Sequence, residues 1–400
     1  MIYLDAAATS PVRREAIEAM FPYLTGAFGN PSSHHGLGEQ AARAFAEARQ
    51  AIADVVGSRP DEVIFTSGGT EADNLALKGI ALARRAADPQ RNRILLSAIE
   101  HPAVLESARY LQRVHGFEIA ELPVDAEGFV SERSCVEALA PDVALLSVMY
   151  ANNEIGTVQD LPGLSALAAR HRVPVHTDAV QAAGWLSLDT GELGVQAMSL
   201  SGHKFGAPKG IGALVLRSPT PIEPLIHGGG QQAGLRSGTE NVAFAVAFAA
   251  AAQLAEAERV EAAARVSALR DEFIQAVLGR VPGAQLTGPA SGRRLPSVAS
   301  FCFRGTHGES VLLELERRSV ICSSGSACAA GSSEPSAVLL ALGLSAELAQ
   351  TAVRFSFPSA VTGTELAAAA DAVVEAVAAL TRFRGAAPRR GVQVGTGSGS

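Results

Sequence analysis

The sequence has few cysteines and no excess of basic residues. Four cysteines in 400 residues, at positions 135, 302, 322 and 328, are too few for a disulfide framework. The net charge of −7 argues against a protein that binds nucleic acid through its phosphates. These absences favour a protein of a reducing compartment. We therefore expect a cytoplasmic location and no direct nucleic-acid partner.

Long apolar segments are also missing. The longest wholly apolar run, 242–252, has eleven residues, whereas a membrane-spanning helix needs about 20. The first residues, MIYLDAAATSPVRREA, do not place an apolar stretch after a basic one, as a secretory signal would. We therefore expect no membrane association.

Short apolar runs alternate with helical patterns through the first half of the chain. The runs are typical of strands and occupy 62–67, 93–98, 143–149, 173–178, 197–201 and 212–217. Helical patterns lie between them at 70–85, 102–115 and 164–171. Runs that are apolar on both faces are typical of a parallel sheet covered by helices on two sides. The alternation therefore predicts a doubly wound α/β domain.

A different pattern begins near residue 241. The stretch 241–278 contains neither glycine nor proline, which predicts one very long helix or two abutting helices. Shorter elements follow, with strands predicted at 297–305 and 319–324 and helices at 309–318, 335–342 and 365–383. We predict a large α/β domain over 14–255, a smaller α+β domain over 1–13 and 256–384, and a disordered tail over 385–400.

Polar clusters follow directly after five of the predicted strands. In chain order they are SGGTEADN, EHPAV, ANNEIG, DAVQ and GHKFG. Open α/β sheets bind ligands at the carboxyl ends of their strands. The clusters therefore predict one shared crevice.

Each cluster offers a chemical role beside an ordinary structural one. Gly69 and Thr70 open a helix where backbone N–H groups would favour a phosphate, or they form a plain turn with Thr70 as N-cap. Asp178 is either a helix N-cap or the partner of a cationic ring nitrogen. Lys204 is either a solvated charge or a nucleophile that forms a Schiff base. His101 is either a packing residue or a ring that stacks on a cofactor and moves protons.

Together these residues indicate a pyridoxal-phosphate site. A phosphate loop, an aspartate, a lysine 26 residues later and a stacking histidine are its parts, and Ser201 and His203 are further candidate phosphate donors. No metal is expected, because Cys322 and Cys328 lie six apart without a CxxC pair or a nearby histidine. A redox disulfide between these cysteines stays open, although the position of Cys322 at a strand end favours a buried thiol.

The motifs occur in the order of a known family. TSGGTEADNLALKG, EHPAV, NNEIGTVQD, HTDAVQAAG, SGHKFGAPKGIGAL, RSGTEN, SSGSACAAGSSEPS and VRFSF fall within residues 3–357. Over this length the chain resembles the cysteine desulfurases, pyridoxal-phosphate enzymes of the class V aminotransferase family, and its SSGSAC segment is similar to that of their first group. The resemblance implies an aminotransferase-like large domain of fold type I with a mostly parallel sheet, and the smaller α+β domain.

The resemblance also implies a role for each matching residue. Lys204 would bind pyridoxal 5′-phosphate as a Schiff base, Asp178 would keep the ring nitrogen protonated, and Gln181 would hydrogen-bond the ring oxygen. His101 would stack on the ring and move protons. The phosphate ligands would be Gly69, Thr70, Ser201, His203 and, from a second subunit of a homodimer, Thr239. The substrate ligands would be Asn153, Arg354 and Asn30.

Cys328 lies among glycine, serine and alanine, a composition that predicts a mobile segment. By resemblance this thiol, with His101 as its suggested base, would take the sulfur of L-cysteine as a persulfide and leave L-alanine. The segment would then deliver the sulfur to an acceptor such as an iron–sulfur scaffold or a thiolation enzyme. Two alternatives stay open. One is another enzyme of the family, such as a selenocysteine lyase or an aminotransferase, and the other is a catalytically silent sulfur-relay protein or scaffold.

Overall fold

The computed structural model of the chain describes residues 1–290, 292–324 and 334–385. Cys328 and residues 386–400, which make up most of the predicted tail, lie outside these ranges.

Strands within the described ranges form three sheets. They are β1 (Ile2–Tyr3), β2 (Val63–Thr66), β3 (Arg93–Ser97), β4 (Glu118–Leu122), β5 (Val143–Ser147), β6 (Val175–Asp178), β7 (Ala197–Ser201), β8 (Gly212–Leu216), β9 (Ala284–Leu286), β10 (Val298–Phe303), β11 (Val320–Ile321) and β12 (Ala352–Ser356). The largest sheet has the order β2-β8-β7-β6-β5-β3-β4. Its pairs are parallel except that β8 runs antiparallel to both β2 and β7. The predicted mostly parallel sheet is confirmed.

Helices pack on both faces of this sheet. Those of the first half are α1 (Arg14–Leu24), α2 (Gly36–Val56), α3 (Gly69–Asn74), α4 (Ile80–Ala87), α5 (Pro102–His115), α6 (Glu132–Ala138), α7 (Leu161–Arg170) and α8 (Thr190–Leu193). The later helices are α9 (Val242–Arg280), α10 (Gly308–Glu316), α11 (Ala337–Ala341), α12 (Ala346–Ala349) and α13 (Gly363–Gly385). In β2, Val63 and Phe65 enter the core that α2 helps to form, whereas Ile64 enters the core beside α4 and α5. Apolar residues on both sides of the strands explain this two-sided packing.

Several elements differ from the predicted boundaries or were not predicted, among them strands β1, β9 and β12. The helix predicted over 70–85 is α3 and α4 joined by a π-helical turn, Leu75–Gly79. The strand predicted over 319–324 shrinks to the two residues of β11, because its parallel partner β1 is equally short. Edge strand β4 was not predicted. Its two glutamates, Glu118 and Glu121, are exposed and interrupt the apolar pattern that marks the other strands.

Helix α9 joins two hydrophobic cores. Its 39 residues run without a break, so the single long helix is correct. Phe248, in its first half, is buried in the core of the large sheet. Phe273, in its second half, packs against Phe301 and Phe355 of the antiparallel sheet β12-β10-β9, with ring centroids 6.1 and 5.1 Å away. The domain boundaries themselves stay a prediction. Among the described helices, none is both long enough and apolar enough to cross a lipid bilayer.

Candidate active site

The predicted polar clusters meet at one cavity of about 270 Å³. It lies where β6 and β7 end, between the start of α3 and the N-terminal segment. Ten of the predicted site residues line it, namely Gly69, Thr70, His101, Asn153, Asp178, Gln181, Ser201, His203, Lys204 and Arg354. The carboxyl ends of neighbouring strands share one edge, and the clusters therefore come together although they are far apart in sequence.

Gly69 brings the start of α3 into close contact with the strand ends. A Cβ atom added to Gly69 would lie 2.7 Å from Cγ2 of Val180 and 3.3 Å from Cβ of Ser201. Only a residue without a side chain fits this approach. The cavity wall at this point is therefore backbone.

The N-cap interpretation of Thr70 is wrong. Helix α3 begins at Gly69 with Gly68 as its N-cap residue, and Oε2 of Glu71 accepts a hydrogen bond from the backbone N–H of Ser67 at 2.8 Å. The side chain of Glu71 thus binds the backbone that precedes the helix, and the N-cap residue itself, a glycine, offers no side-chain cap. The first N–H groups of a helix have no intrahelical acceptor. Thr70 contributes one of these groups beside the cavity.

The ammonium group of Lys204 is held against the N-terminal segment. Its Nζ donates to the carbonyl oxygen of Ala7 at 2.6 Å and to that of Ala8 at 2.9 Å. Gln181 contacts the same segment, since its Nε2 donates to the carbonyl of Ala7 at 3.0 Å. The backbone of two alanines therefore fixes the lysine beside the cavity.

Asp178 is buried at the end of β6, with only 5 % of its surface exposed. Its Oδ1 accepts a hydrogen bond from the backbone N–H of Val180 at 2.9 Å. A turn and no helix follows it, so the N-cap interpretation of Asp178 is also wrong. Burial raises the pKa of Asp178, whereas His101, the Val180 N–H and Lys204 oppose the rise.

His101 is the N-cap residue of α5. Its Nδ1 accepts a hydrogen bond from the backbone N–H of Ala103 at 3.1 Å. In the neutral ring the proton is therefore on Nε2. Capping fixes the orientation of the imidazole at the cavity.

His203 follows β7 at the opposite wall. Its Nδ1 lies 3.1 Å from Oγ1 of Thr9. Burial, with Lys204 and Lys209 nearby, lowers the pKa of His203 to about 4. The imidazole is neutral at pH 7, so it can act there as a hydrogen-bond donor or acceptor and not as a cation.

Arg354, in the middle of β12, is 2 % exposed. Its Nη2 donates to Oδ1 of Asp5 at 2.9 Å, and its Nη1 donates to the backbone carbonyl of Asn153 at 3.1 Å. Its Nε is buried and has no hydrogen-bond partner among the described residues. A buried guanidinium with donor capacity to spare is suited to an anionic ligand.

Two predicted site residues are not at this cavity, and the position of a third is not described. Asn30 is exposed, and its Oδ1 accepts a hydrogen bond from the backbone N–H of Ser32 at 2.9 Å. Thr239 is exposed as well. Neither residue lines the cavity of its own chain. Cys328, as noted above, lies outside the described residues.

Two acidic residues of the site were missed. Asp5 pairs with Arg354 across almost the whole chain, and no local pattern could signal that contact. Asp73 also lines the cavity. The one available signal was its place on the apolar face of a helix, between Ala72 and Leu75.

A third missed residue is Glu154. It lies within the ANNEIG cluster, and its Oε2 accepts a hydrogen bond from Oγ of Ser336 at 2.5 Å. Burial raises the pKa of Glu154 to about 7, against the opposing effects of Ser336, Arg354 and His101. The group can therefore change charge near neutral pH beside Arg354.

Asp73, His101 and Asp178 bring an oxygen, a ring nitrogen and an oxygen within 4.8 Å of one another. This spacing is also within reach of a cation. The same cavity holds the cationic Lys204 and the free helix N–H groups, which suit an anionic, ring-bearing ligand better. The cavity as a whole therefore suits an anionic organic ligand better than a metal ion.

Known proteins resemble this chain over nearly its whole length. The family described as Aminotransferase class-V matches residues 2–368. An IscS-like cysteine desulfurase from Mycobacterium tuberculosis (strain ATCC 25618 / H37Rv) is 46% identical over 384 residues, which are 96% of this chain and 98% of that protein.

Solved structures agree with this match. A structure titled NIFS-LIKE PROTEIN superposes with a TM-score of 0.87 at 34% identity, covering 94% of this chain and 99% of that one. A second, titled SspA in complex with cysteine, gives a TM-score of 0.77 at 34% identity, covering 90% and 99%.

Proposed function

The chain belongs to the cysteine desulfurases of the aminotransferase class-V family, and we propose that it transfers the sulfur of L-cysteine to the thiol of Cys328. The products are L-alanine and a Cys328 persulfide. The protein is an enzyme that depends on pyridoxal 5′-phosphate, as the family does. The observation that carries the proposal is the convergence of Lys204, Asp178 and Arg354 on one cavity.

The residues of the cavity fit pyridoxal phosphate. At the start of α3, where Gly69 packs against the strand ends, backbone N–H groups are left as donors for a phosphate. The hydroxyl of Ser201 and the neutral imidazole of His203 line the same cavity. Asp178 supplies a buried carboxylate for a ring cation, and Gln181 supplies an amide. Bound through its aldehyde to Lys204, the cofactor would withdraw electrons from the α-carbon of the substrate.

Lys204 is oriented for this attachment. The carbonyls of Ala7 and Ala8 accept two of its N–H groups and hold Nζ at the wall of the cavity. A nitrogen fixed in this way does not have to be ordered when the aldehyde arrives, which removes an entropic cost.

Asp178 and His101 control protons at the site. The backbone N–H of Val180 turns the carboxylate of Asp178, whose burial makes a nearby cation favourable. His101 accepts a hydrogen bond at Nδ1, so it holds its exchangeable proton at Nε2. We propose that Nε2 gives and takes the protons that cross the cavity.

Arg354 provides the site for the substrate carboxylate. Asp5 and the carbonyl of Asn153 hold one edge of its guanidinium, while Nε remains without a partner. Binding of a carboxylate would satisfy this donor and add a second negative partner to a buried cation.

Described residues on both sides of the Cys328 segment contact this site. On one side, Ser323 and Arg354 exchange backbone hydrogen bonds of 3.2 and 2.7 Å. On the other side, Ser336 binds Glu154. We propose that the thiolate of Cys328 attacks the sulfur of cysteine. The carbon–sulfur bond breaks, its electron pair takes up a proton to complete L-alanine, and Cys328 keeps the sulfur as a persulfide.

A homodimer is proposed from a second feature, the exposed apolar face of α1. Ile17, Phe21 and Leu24 follow one another at helical spacing and are 49 %, 61 % and 54 % exposed, and Phe28 nearby is 69 % exposed. A patch of this kind on an otherwise folded chain marks a contact surface. A second copy covering it would also explain why Thr239, an expected phosphate ligand, is exposed and does not line the cavity of its own chain.

Sedimentation of the full chain tests the dimer. Phe21→Glu should convert a dimer into a monomer and weaken cofactor binding, while Val136→Glu, at an exposed valine on α6, should do neither. A monomeric unmodified protein, or a Phe21→Glu protein that stays dimeric, would contradict the proposed interface.

The cellular setting is also proposed. Cys135, Cys302 and Cys322 are free thiols among the described residues, as is usual in a reducing compartment such as the cytoplasm. The sulfur acceptor would be a protein such as an iron–sulfur scaffold or a thiolation enzyme, because a persulfide must pass its outer sulfur to another nucleophile.

The function is tested with paired cysteine variants. Cys328→Ala should retain the yellow absorbance of bound cofactor but lose release of sulfide from L-cysteine in the presence of a reductant. Cys322→Ala is the matched control and should release sulfide at nearly the rate of the unmodified protein. Lys204→Ala should lose the absorbance.

Two results would count against the proposed function. Sulfide release by Cys328→Ala would exclude the persulfide step. An unmodified protein that stayed colourless after addition of pyridoxal phosphate would favour a catalytically silent sulfur-relay protein.

A further inference from the structure

Two buried carboxyl groups line the cavity, and a third buried carboxyl group interacts with both of them. Asp73 on α3, Glu100 after β3 and Asp178 at the end of β6 are 1 %, 3 % and 5 % exposed. An oxygen of Asp73 lies within 4.8 Å of an oxygen of Asp178. Three negative charges cannot be buried this close together without cations between them. The surroundings of each group decide which of them carries a charge.

Asp178 has the partners that favour the ionised form. Its Oδ1 accepts the Val180 N–H at 2.9 Å, and the charges of His101 and Lys204 act on it favourably. Both of these residues line the same cavity.

Asp73 lacks comparable partners. Its Oδ1 is buried and has no hydrogen-bond partner among the described residues. Two imidazole rings lie nearby. A ring nitrogen of His101 is within 4.8 Å of an oxygen of Asp73, as it is of Asp178, and Nε2 of His176 is 3.6 Å from Oδ1 of Asp73. Burial raises the pKa of Asp73, and the negative charges of Asp178 and Glu100 raise it further. The hydroxyl of Ser199 has the opposite effect on this pKa.

His176 does not supply a positive charge. It is fully buried between two hydroxyl groups, with Nδ1 2.9 Å from Oγ of Ser147 and Nε2 3.0 Å from Oγ of Ser199. Burial lowers the pKa of His176 to about 3, so the ring is neutral at pH 7.

Glu100 is satisfied as a neutral acid. Its Oε1 accepts hydrogen bonds from Oγ of Ser97 at 2.5 Å and from the backbone N–H of Met149 at 2.7 Å, while its Oε2 has no partner among the described residues. Burial raises the pKa of Glu100 to about 8. One oxygen thus acts as a carbonyl acceptor, and the other can carry the proton.

We propose that Asp73 is a positioning residue that presents a neutral carboxyl group to the cavity, and that Asp178 is thereby the one negative charge among these three acids. The role of Asp73 rests on the proposed function, because the cation that Asp178 would meet is the ring nitrogen of pyridoxal phosphate. A neutral Asp73 keeps a second carboxylate from competing for that cation. It also fills the wall next to Asp178 with a group of fixed shape.

Infrared difference spectroscopy on the full chain, with and without pyridoxal phosphate, tests the charge assignment. At pH 7, Asp73→Asn should remove the carbonyl band of a protonated carboxylic acid. Asp371→Asn is the matched control, because Asp371 is 62 % exposed and paired with Arg280, and it should remove a carboxylate band. Loss of a carboxylate band in Asp73→Asn would overturn the proposal.

Removing the negative charge of Asp178 gives a second measurement of the protonation state of Asp73. In Asp178→Asn the carbonyl band assigned to Asp73 should disappear at a lower pH than in the unmodified protein, because the repulsion from Asp178 is gone. If Asp73→Asn does not fold, the band is assigned by its loss in Asp73→Ala. An unchanged titration would show that the two groups are not coupled and would overturn the proposal.

The positioning role is tested by cofactor affinity. Asp73→Asn preserves a neutral group of the same shape and should keep the dissociation constant for pyridoxal phosphate within about threefold, whereas Asp73→Ala should raise it on the order of tenfold. Equal losses in both variants would mean that an ionised Asp73 is required, against the proposal. Failure to bind the cofactor at all would refute the proposed function, yet the infrared result on the cofactor-free chain would still stand.

Discussion

Arg354 and Asp5 form an ion pair of 2.9 Å across 349 residues of sequence. The arginine side chain is 3 % exposed and the aspartate side chain 19 % exposed, so the pair is largely withdrawn from water. The N-terminal segment thereby makes two contacts at the site. Asp5 pairs with Arg354, and the backbone carbonyls of Ala7 and Ala8 accept hydrogen bonds from Lys204. Residues 5–8 thus give the cavity a wall that the strands do not supply.

Asp5→Ala should weaken the binding of L-cysteine. Arg354 would lose its charged partner, and KM should rise on the order of tenfold or more, since charge-assisted hydrogen bonds contribute about 1.5–3 kcal/mol. A buried guanidinium left without a carboxylate should also lower the free energy of unfolding by about 3 kcal/mol. Steady-state kinetics and urea unfolding measure both effects.

The exposed pair of Asp371 and Arg280 provides the control for that change. Asp371→Ala should cost less than about 1 kcal/mol and leave KM unaltered, because exposed ion pairs are weak. If Asp5→Ala behaved like this control, Asp5 would have no part in positioning Arg354.

Gly69→Ala should impair cofactor binding without unfolding the protein. The added methyl group would meet Val180 at 2.7 Å and push the start of α3 away from β7. Overpacking of this kind costs about 1–3 kcal/mol, which corresponds to roughly a tenfold or greater loss of affinity for pyridoxal phosphate. Absorbance titration of the cofactor-free protein gives the dissociation constant.

Gly279→Ala is the matched substitution, since an added Cβ there meets no atom within 4 Å. It lies in the last turn of α9, where alanine is favoured over glycine, and should leave cofactor affinity unchanged. An affinity loss of equal size in both variants would argue against the close approach at Gly69.

The sequence predicts the part of the site that depends on local order. Lys204, Asp178 and His101 each follow a recognisable strand, and the rule that strand ends share an edge is enough to place them together. The contact between Asp5 and Arg354 joins residues 349 positions apart in the sequence. It depends on how the N-terminal segment packs against β12, and no local sequence pattern contains that information. Strand β4 was also missed, because its exposed Glu118 and Glu121 interrupt the apolar pattern by which the other strands were recognised. The start of α3 was misjudged because the helix already begins at Gly69, with Gly68 as its N-cap residue.

Glu100→Gln should change how the stability of the protein depends on pH. Burial raises the pKa of Glu100 from 4.5 to about 8 in the folded state. Between these two values the folded protein holds a proton that the unfolded chain has released, so stability falls as pH rises, by up to about 1.4 kcal/mol per pH unit. The fall ends once the pH exceeds the folded value.

Glutamine can accept the same hydrogen bonds from Ser97 and Met149 but does not titrate. The free energy of unfolding of Glu100→Gln, measured by urea titration from pH 5 to pH 8, should therefore gain on that of the unmodified protein as pH rises. Parallel pH profiles for the two proteins would show that Glu100 is ionised in the folded state over this range.

Glu154→Gln should alter the pH dependence of substrate binding. The pKa of Glu154 is raised to about 7 by burial, and Arg354 is among the groups that oppose the rise. Below pH 7 the carboxyl is neutral and leaves Arg354 to the substrate, whereas above pH 7 its negative charge competes with the substrate carboxylate for the same guanidinium. KM for L-cysteine should therefore rise above pH 7 in the unmodified protein and stay flatter in Glu154→Gln.

Because the amine and thiol of cysteine also titrate at alkaline pH, the quantity to compare is the ratio of the two KM values at each pH. Glu118→Gln, on the exposed edge strand, should give a ratio near one at every pH. A ratio for Glu154→Gln that did not change between pH 6 and pH 8.5 would mean that this carboxyl does not compete for Arg354.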